Sequence, residues 1–214
     1  MYTIIFDTET TGLPKKRSAT LDDNGNWPYI VQFSWILCDM DTAEIYIRDY
    51  IIQLPAGMLI PPAATNIHGI TNEMMREKGI PCKEALDAFQ QDLEKSQYVV
   101  AHNLNFDKTI IRVELYRHNM QNIFKLQNYI YFCTMKYGTY FCDLVKINRW
   151  NGRLETKPPK LIELYEKMFG ETPTNLHNSL VDVFVCFRCF YKMLRATDVF
   201  KDKPSIETKF RALM

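Results

Sequence analysis

The sequence predicts an α/β domain with a mixed β-sheet and helices packed on it. Three observations predict it. Three strand-like runs open the chain, helical periodicities follow, and one or two further strand-like runs lie among the helices. At 214 residues the chain is long enough for one domain with a sizeable core. We expect a single domain over 1–214, its core at about 1–195 and a C-terminal extension at 196–214.

The elements follow in order. Tyr2-Thr3-Ile4-Ile5-Phe6 is a short β-rich run, predicting a buried strand that ends at Asp7. Thr11-Gly12-Leu13-Pro14 breaks it, and the polar stretch 15–28, with Asn24-Gly25-Asn26 as turn chemistry, predicts a loop. Residues 29–38 and 44–53 read as strands of an antiparallel hairpin, joined by Asp39-Met40-Asp41-Thr42. Residues 81–95 place Cys82, Ala85, Leu86, Phe89 and Leu93 on one helical face. Residues 97–101 predict a strand running into His102-Asn103. A helix from about Asn105 then carries Phe106, Ile110 and Val113. Residues 160–169 align Leu161, Leu164, Tyr165 and Met168, and a helix near 178–195 aligns Leu180, Val183, Phe184, Phe187 and Leu194. The charged tail after Thr197 reads as a loose end.

Composition excludes several classes. Apolar residues are 47% and charged residues 24%, which excludes disorder as the main state. The most apolar stretch, Tyr29 to Met40, is short and broken by Gln32 and Ser34, so no membrane association is expected. The N-terminus has no basic region of the signal-peptide kind. The six cysteines then read as reduced thiols in a cytoplasmic, reducing compartment. Cys186 and Cys189 form a CxxC inside an apolar helical run, without a second pair to complete four zinc ligands, and are expected to be core thiols. With 26 Lys+Arg against 25 Asp+Glu, any surface for a polyanion must be a local patch.

Four acids carry chemistry. Asp7 and Glu9 stand at the end of the first strand, where positions i and i+2 share a face. Two carboxylates side by side repel unless something positive lies between them. Asp107 starts a helix directly after a strand, and Asp182 lies near the start of the last long helix. Each alone has an ordinary reading as a cap or a solvated acid. Together they form a set of hard oxygen ligands, suited to Mg²⁺ or Mn²⁺ rather than zinc or copper. Two histidines precede acids of the set. His102 closes a strand and is expected to be a partly buried structural hydrogen-bonder. His177 sits in a polar loop, free to approach a water, and is the expected base.

Phe6-Asp7-Thr8-Glu9-Thr10-Thr11-Gly12-Leu13 resembles the first motif of the DEDDh 3′–5′ exonucleases. His102-Asn103-Leu104-Asn105-Phe106-Asp107 resembles their second motif, HNxxFD. His177-Asn178-Ser179-Leu180-Val181-Asp182 is similar to the third, HxAxxD, with Ser179 where alanine is usual and able to serve the start of the helix. Asn66-Ile67-His68-Gly69-Ile70-Thr71 is similar to the family's IHGIT segment. Cys133-Thr134 stands where many relatives have Asp-Thr, at a position that holds no metal. Segment 138–157 is longer than in compact relatives.

The resemblance implies an RNase H-like exonuclease fold, a central mixed sheet with helices on both faces. It implies phosphodiester hydrolysis with two Mg²⁺ about 4 Å apart, Mn²⁺ being able to substitute. By the same resemblance, Asp7 bridges both metals, Glu9 and Asp182 hold the one on the nucleophile side, Asp107 serves the other, and His177 takes the proton from the attacking water. Thr8, Thr10, Leu13, His68, Asn103 and Phe106 are the expected substrate contacts. Amides near Thr8 and Glu9 would hold the terminal 3′ hydroxyl, Leu13 would wedge between the last two bases, and His68 would contact the terminal nucleotide. Phe106 has base stacking and core packing as equal readings. From 129 to 160, Tyr129, Tyr131, Phe132, Tyr137, Tyr140, Phe141 and Trp150 interleave with Lys136, Lys146, Arg149, Arg153, Lys157 and Lys160, opposed by only Asp143 and Glu155. This patch reads as a loop for nucleic-acid backbone, with Arg149 and Arg153 as contacts, set against a solvated loop over an aromatic core.

The leading expectation is a metal-dependent exonuclease releasing nucleoside monophosphates from single-stranded or frayed 3′ ends of DNA, in repair or proofreading. The alternatives are an RNA-trimming exonuclease and a non-catalytic exonuclease-fold subunit. Single-stranded nucleic acid is the expected partner and a DNA polymerase a further candidate. Oligomeric state is not legible.

Overall fold

The computed structural model describes residues 1–23 and 25–213. Asn24, part of the expected turn, lies outside the described residues. The chain opens with three strands, β1 (Tyr2–Thr10), β2 (Ile30–Asp39) and β3 (Glu44–Gln53), then α1 (Pro62–His68), α2 (Asn72–Lys78) and a two-residue strand β4 (Ile80–Pro81). There follow α3 (Cys82–Lys95), β5 (Tyr98–Ala101), α4 (Leu104–Arg117), β6 (Ile130–Cys133) and α5 (Thr134–Cys142). A small hairpin, β7 (Val145–Ile147) and β8 (Leu154–Thr156), precedes α6 (Leu161–Phe169), α7 (Ser179–Arg195), α8 (Val199–Asp202) and α9 (Pro204–Arg211).

The main sheet has the order β4-β3-β2-β1-β5-β6. β1, β2 and β3 pair antiparallel, while β5 runs parallel to β1, β6 to β5 and β4 to β3. The sheet is therefore mixed, and helices cover both faces. The period of two along β1 divides its side chains between two cores. Ile4 and Phe6 pack with Phe33, Trp35 and the α3 and α4 residues Phe89 and Ile110. Ile5 packs on the other side with Ile36, Val100 and the α6 and α7 residues Leu164, Phe184 and Phe187.

Four expectations change. First, β1 runs on through Asp7 and Glu9 to Thr10 instead of ending at Asp7, because β2 is long enough to pair with it as far as Ile30. Second, the buried surface of α7 is far wider than a stripe, taking in Val181, Val185, Cys186, Cys189 and Phe190 as well. The sheet lies on one side of this helix and α5, α6 and the C-terminal helices on the others, while Leu194 is exposed at its end. Third, the tail is no loose end, because Val199, Phe200, Ile206 and Phe210 are buried in the core around α7. Charged residues between them hid this amphipathic pattern. Fourth, the later part of the 129–160 patch is not a plain loop. Val145, Lys146 and Ile147 pair with Thr156, Glu155 and Leu154.

Cys186 and Cys189 are buried free thiols, as expected. Among the described residues no helix is long and apolar enough to cross a membrane.

Candidate active site

The acids converge because β1 ends, and α4 and α7 begin, at one end of the sheet's central strands. On β1, Asp7 and Glu9 share the face of Ile5, the side on which α7 packs. Asp182 comes from the first turn of α7. Thr8 points to the opposite side, toward α4. Its amide and its hydroxyl both donate to Asp107 Oδ1, at 3.1 and 2.8 Å. Asp107 is therefore no helix cap. It is buried in the first turn of α4 and is held by the strand that carries the first two acids.

Two local devices set these positions. Asn103 takes a left-handed backbone (φ 62°) between β5 and α4, a conformation asparagine tolerates well. Its carbonyl accepts the Phe106 amide at 2.8 Å and turns the chain into the helix. Asn178 caps α7, its side chain accepting from the Leu180 and Val181 amides. The sequence suggests that the Ser179 hydroxyl could serve that helix start. Instead, its buried hydroxyl donates to the Asp7 carbonyl at 2.7 Å, and its amide donates to Gln32 Oε1 at 3.1 Å. α7 is thus tied directly to β1 at the first acid. Gln32 is a support that sequence reasoning missed. The available signal was a glutamine inside the otherwise apolar run of β2.

One donor atom each from Glu9, His177 and Asp182 lies within 4.8 Å of the others. His177 is exposed and has φ 68°, and its amide donates to Asp182 Oδ2 at 3.2 Å. Asp182 Oδ1 is buried without a hydrogen-bond partner. Among the described residues no lysine or arginine pairs with any of the four acids. The electrostatics follow. Burial pushes Asp7 up to about 7, against a smaller opposing effect of the Ser179 hydroxyl. Burial, then the charges of Asp7, Asp182 and Asp107, push Glu9 up to about 9. Asp107 and Asp182 are also raised well above the ordinary carboxylate range, by burial and then by Asp7. Four gathered acids, one buried and three half-buried, with an orphaned oxygen and no cationic side chain fit divalent cations.

His102 is the structural histidine the sequence predicted. Its Nδ1 lies 3.0 Å from Thr134 Oγ1 and its Nε2 3.2 Å from the Pro159 carbonyl, and burial lowers its pKa to about 4. The remaining expected contacts divide. Leu13 is 79% exposed beside the first motif. Thr8 and Thr10 are buried, and the Thr10 hydroxyl donates to the Gly12 carbonyl at 2.6 Å. The Thr8 amide is taken by Asp107, so it is not free for a 3′ hydroxyl. His68 is buried, accepts the Ile70 amide on Nδ1 at 3.1 Å and leaves Nε2 buried without a partner. Asn103 is exposed, and Phe106 is half-buried against the α3–α4 core.

Arg149 and Arg153 are exposed on the hairpin turn and pair with none of the four acids. The turn closes with the Asn148 amide donating to the Arg153 carbonyl at 2.7 Å, and Gly152 takes φ 68°. Trp150 at its tip is 97% exposed. Tyr137, Tyr140 and Phe141 are exposed too, so these aromatics do not form the core beneath a solvated loop, whereas Tyr129 is buried. A groove of about 380 Å³ lies between Asn103 with the first turn of α4 at Asn105 and the α5 residues Lys136 and Tyr137, with Pro158 on its wall.

A family model described as Exonuclease, RNase T, matches residues 4–190. The DNA polymerase III subunit epsilon of Buchnera aphidicola (subsp. Acyrthosiphon pisum, strain APS) is 27% identical over 203 residues, 92% of this chain and 74% of that protein. Among solved structures, Escherichia coli Exonuclease I in complex with a dT13 oligonucleotide superposes with a TM-score of 0.66 at 17% identity, covering 97% of this chain and 43% of that one. Exonuclease I from Methylocaldum szegediense gives 0.65 at 17%, covering 96% and 41%. The chain thus spans less than half the length of these Exonuclease I chains, and at such identity they attest the fold alone. With the family model spanning all three motifs and the acids gathered as described, the chain belongs to the exonuclease family, as a 3′–5′ exonuclease of the DEDDh type.

Proposed function

We propose that this enzyme removes nucleoside monophosphates from the 3′ end of single-stranded or frayed DNA with the help of two divalent cations, Mg²⁺ or Mn²⁺. The observation that carries the reading is the set of four carboxylates, Asp107 buried and the other three half-buried, without a cationic partner and next to an exposed histidine. Asp7, Glu9 and Asp182 would hold one cation and Asp7 with Asp107 the other. Bound there, the cations supply a hydroxide-forming Lewis acid and charge stabilisation at the leaving 3′ oxygen.

The chain's own residues do the rest. His177 accepts the proton of the attacking water, its side chain reaching the site from a loop whose amide is fixed on Asp182. Thr8 holds Asp107 in place with two donors. Ser179 fixes the β1 backbone at Asp7. Leu13, exposed beside the acids, inserts next to the terminal base, and Thr10 shapes that turn through Gly12. His68 offers its unpartnered Nε2 to the terminal nucleotide, and Asn103 and Phe106 border the path of the strand. Arg149 and Arg153, exposed on the hairpin, contact phosphates without reading bases.

The choice of DNA rests on the likeness to an epsilon subunit and to Exonuclease I bound to an oligonucleotide. A DNA polymerase is the partner class proposed with it, on the same likeness. The test is digestion of 5′-labelled DNA and RNA oligomers side by side with Mg²⁺ or Mn²⁺. A ladder shortening from the 3′ end, faster on DNA and absent in chelator, is expected. Faster RNA trimming would overturn the substrate, and internal cuts or full activity in chelator would overturn the reaction.

A further inference from the structure

We propose that Cys82, Glu114 and His118 form a second metal site, selective for Zn²⁺ and separate from the acid cluster. One donor atom from each of the three lies within 4.8 Å of the other two. Cys82 is the first residue of α3, and Glu114 and His118 stand one turn apart at the end of α4, where i and i+4 share a face. Cys82 and Glu114 are buried, and His118 is half-buried. A cavity of about 730 Å³ opens against all three, leaving room for water as a fourth ligand.

The donor set chooses the metal. Sulfur, imidazole nitrogen and one carboxylate oxygen are the ligands of zinc sites with one open position, whereas Mg²⁺ takes oxygen. The site is also remote from the reaction. Along α4, Glu114 and His118 lie roughly 10 and 16 Å beyond Asp107 at 1.5 Å per residue.

Glu114 already has a partner. Its Oε1 accepts from Arg117 Nη1 at 2.7 Å and from the Ile30 amide at 3.4 Å. The Cys82 thiol also hydrogen-bonds Glu114, and a cation held by both would take the place of that thiol proton. Arg117 does not depend on Glu114 alone. It also donates to the Pro28 and Trp27 carbonyls at 2.9 and 2.8 Å and stacks over Tyr29 at 3.7 Å. A bound ion would therefore join the start of α3 to the end of α4 and, through Glu114, to the first residue of β2.

Cobalt titration of the full chain, stripped of metal beforehand, tests this. Co²⁺ takes the same ligands and gives an intense thiolate charge-transfer band only when sulfur coordinates it. The acid cluster has no sulfur and stays silent. One equivalent of Co²⁺ should raise the band, and Zn²⁺ should abolish it. The band should persist in Asp182→Asn and vanish in Cys82→Ser. His118→Ala, at a half-exposed position where folding is not at issue, should weaken Co²⁺ binding by ~100-fold. No band in the wild type, or a band of undiminished affinity in either Cys82→Ser or His118→Ala, would overturn the site. If Cys82→Ser does not fold, the His118→Ala titration decides.

Discussion

Replacing Glu9 by glutamine should stabilise the metal-free protein. Glu9 is held up to about 9 by burial and by three neighbouring acids, against an ordinary value of 4.5. A carboxyl raised in the folded state keeps a proton that the unfolded chain has lost. Between the two values the folded state binds more protons, so its stability falls as pH rises from about 4.5 to about 9 and levels off beyond. At pH 7 the cost is at most about 3 kcal/mol. Solvent reaching this half-buried side chain screens it to about 1–2 kcal/mol. Glutamine keeps the shape and removes the titration. For a chain of this size, Glu9→Gln should then melt about 2–8 °C above wild type in chelator near pH 7. The gain should shrink toward zero near pH 4.5. Mn²⁺ should reverse the order, since the wild type then gains more from binding than the variant does. The assay is thermal unfolding at several pH values, with chelator or Mn²⁺. A variant that melts at or below wild type in chelator at pH 7, or a gain independent of pH, would refute the reasoning.

Three further outcomes are expected. His177→Ala should lower the rate by roughly two to four orders of magnitude and remove the acidic limb of the pH–rate profile; an unaltered limb would place the base elsewhere. Charge reversal at Arg149 and Arg153 should raise KM on long oligomers and reduce the salt slope by roughly 0.7 for each phosphate no longer neutralised, while a dinucleotide is cleaved as before. Equal impairment on both substrates would mean that the hairpin acts through the fold. Phe210→Ala should cost about 3–5 kcal/mol by urea unfolding, because its ring sits among Phe200, Phe184 and Tyr165. A cost under about 1 kcal/mol would mean that the tail adds little to the core.

How much was legible in the sequence depended on the range of the interaction that places each residue. The face of α3 is set by local periodicity, and all five of its predicted residues are buried. Asp7 and Glu9 share a side because a strand alternates, which needs no tertiary knowledge. His102 could be assigned from its place at a strand end. The bonds of Thr8 to Asp107, of Ser179 to Asp7 and of Gln32 to Ser179 span 99, 172 and 147 positions, and no local pattern announces them. Phe200 and Phe210 were hidden for a similar reason, since short helices separated by charges carry little periodic signal. The hairpin reads as a loop in sequence because its strands are three residues each and exposed on both faces.

The division of β1 between two faces bears on which sequence changes this strand can absorb. Substitution leaves the alternation intact, but loss or gain of one residue upstream of Asp7 does not. A single deletion would turn Asp7 and Glu9 toward the aromatic packing of Phe89 and Phe124 and present Thr8 to α7. Asp107 would lose both of its donors in the same step. For β1, then, conservative point changes and single-codon length changes are different kinds of event. An indel scan of this strand should show an abrupt boundary that a substitution scan across the same residues does not.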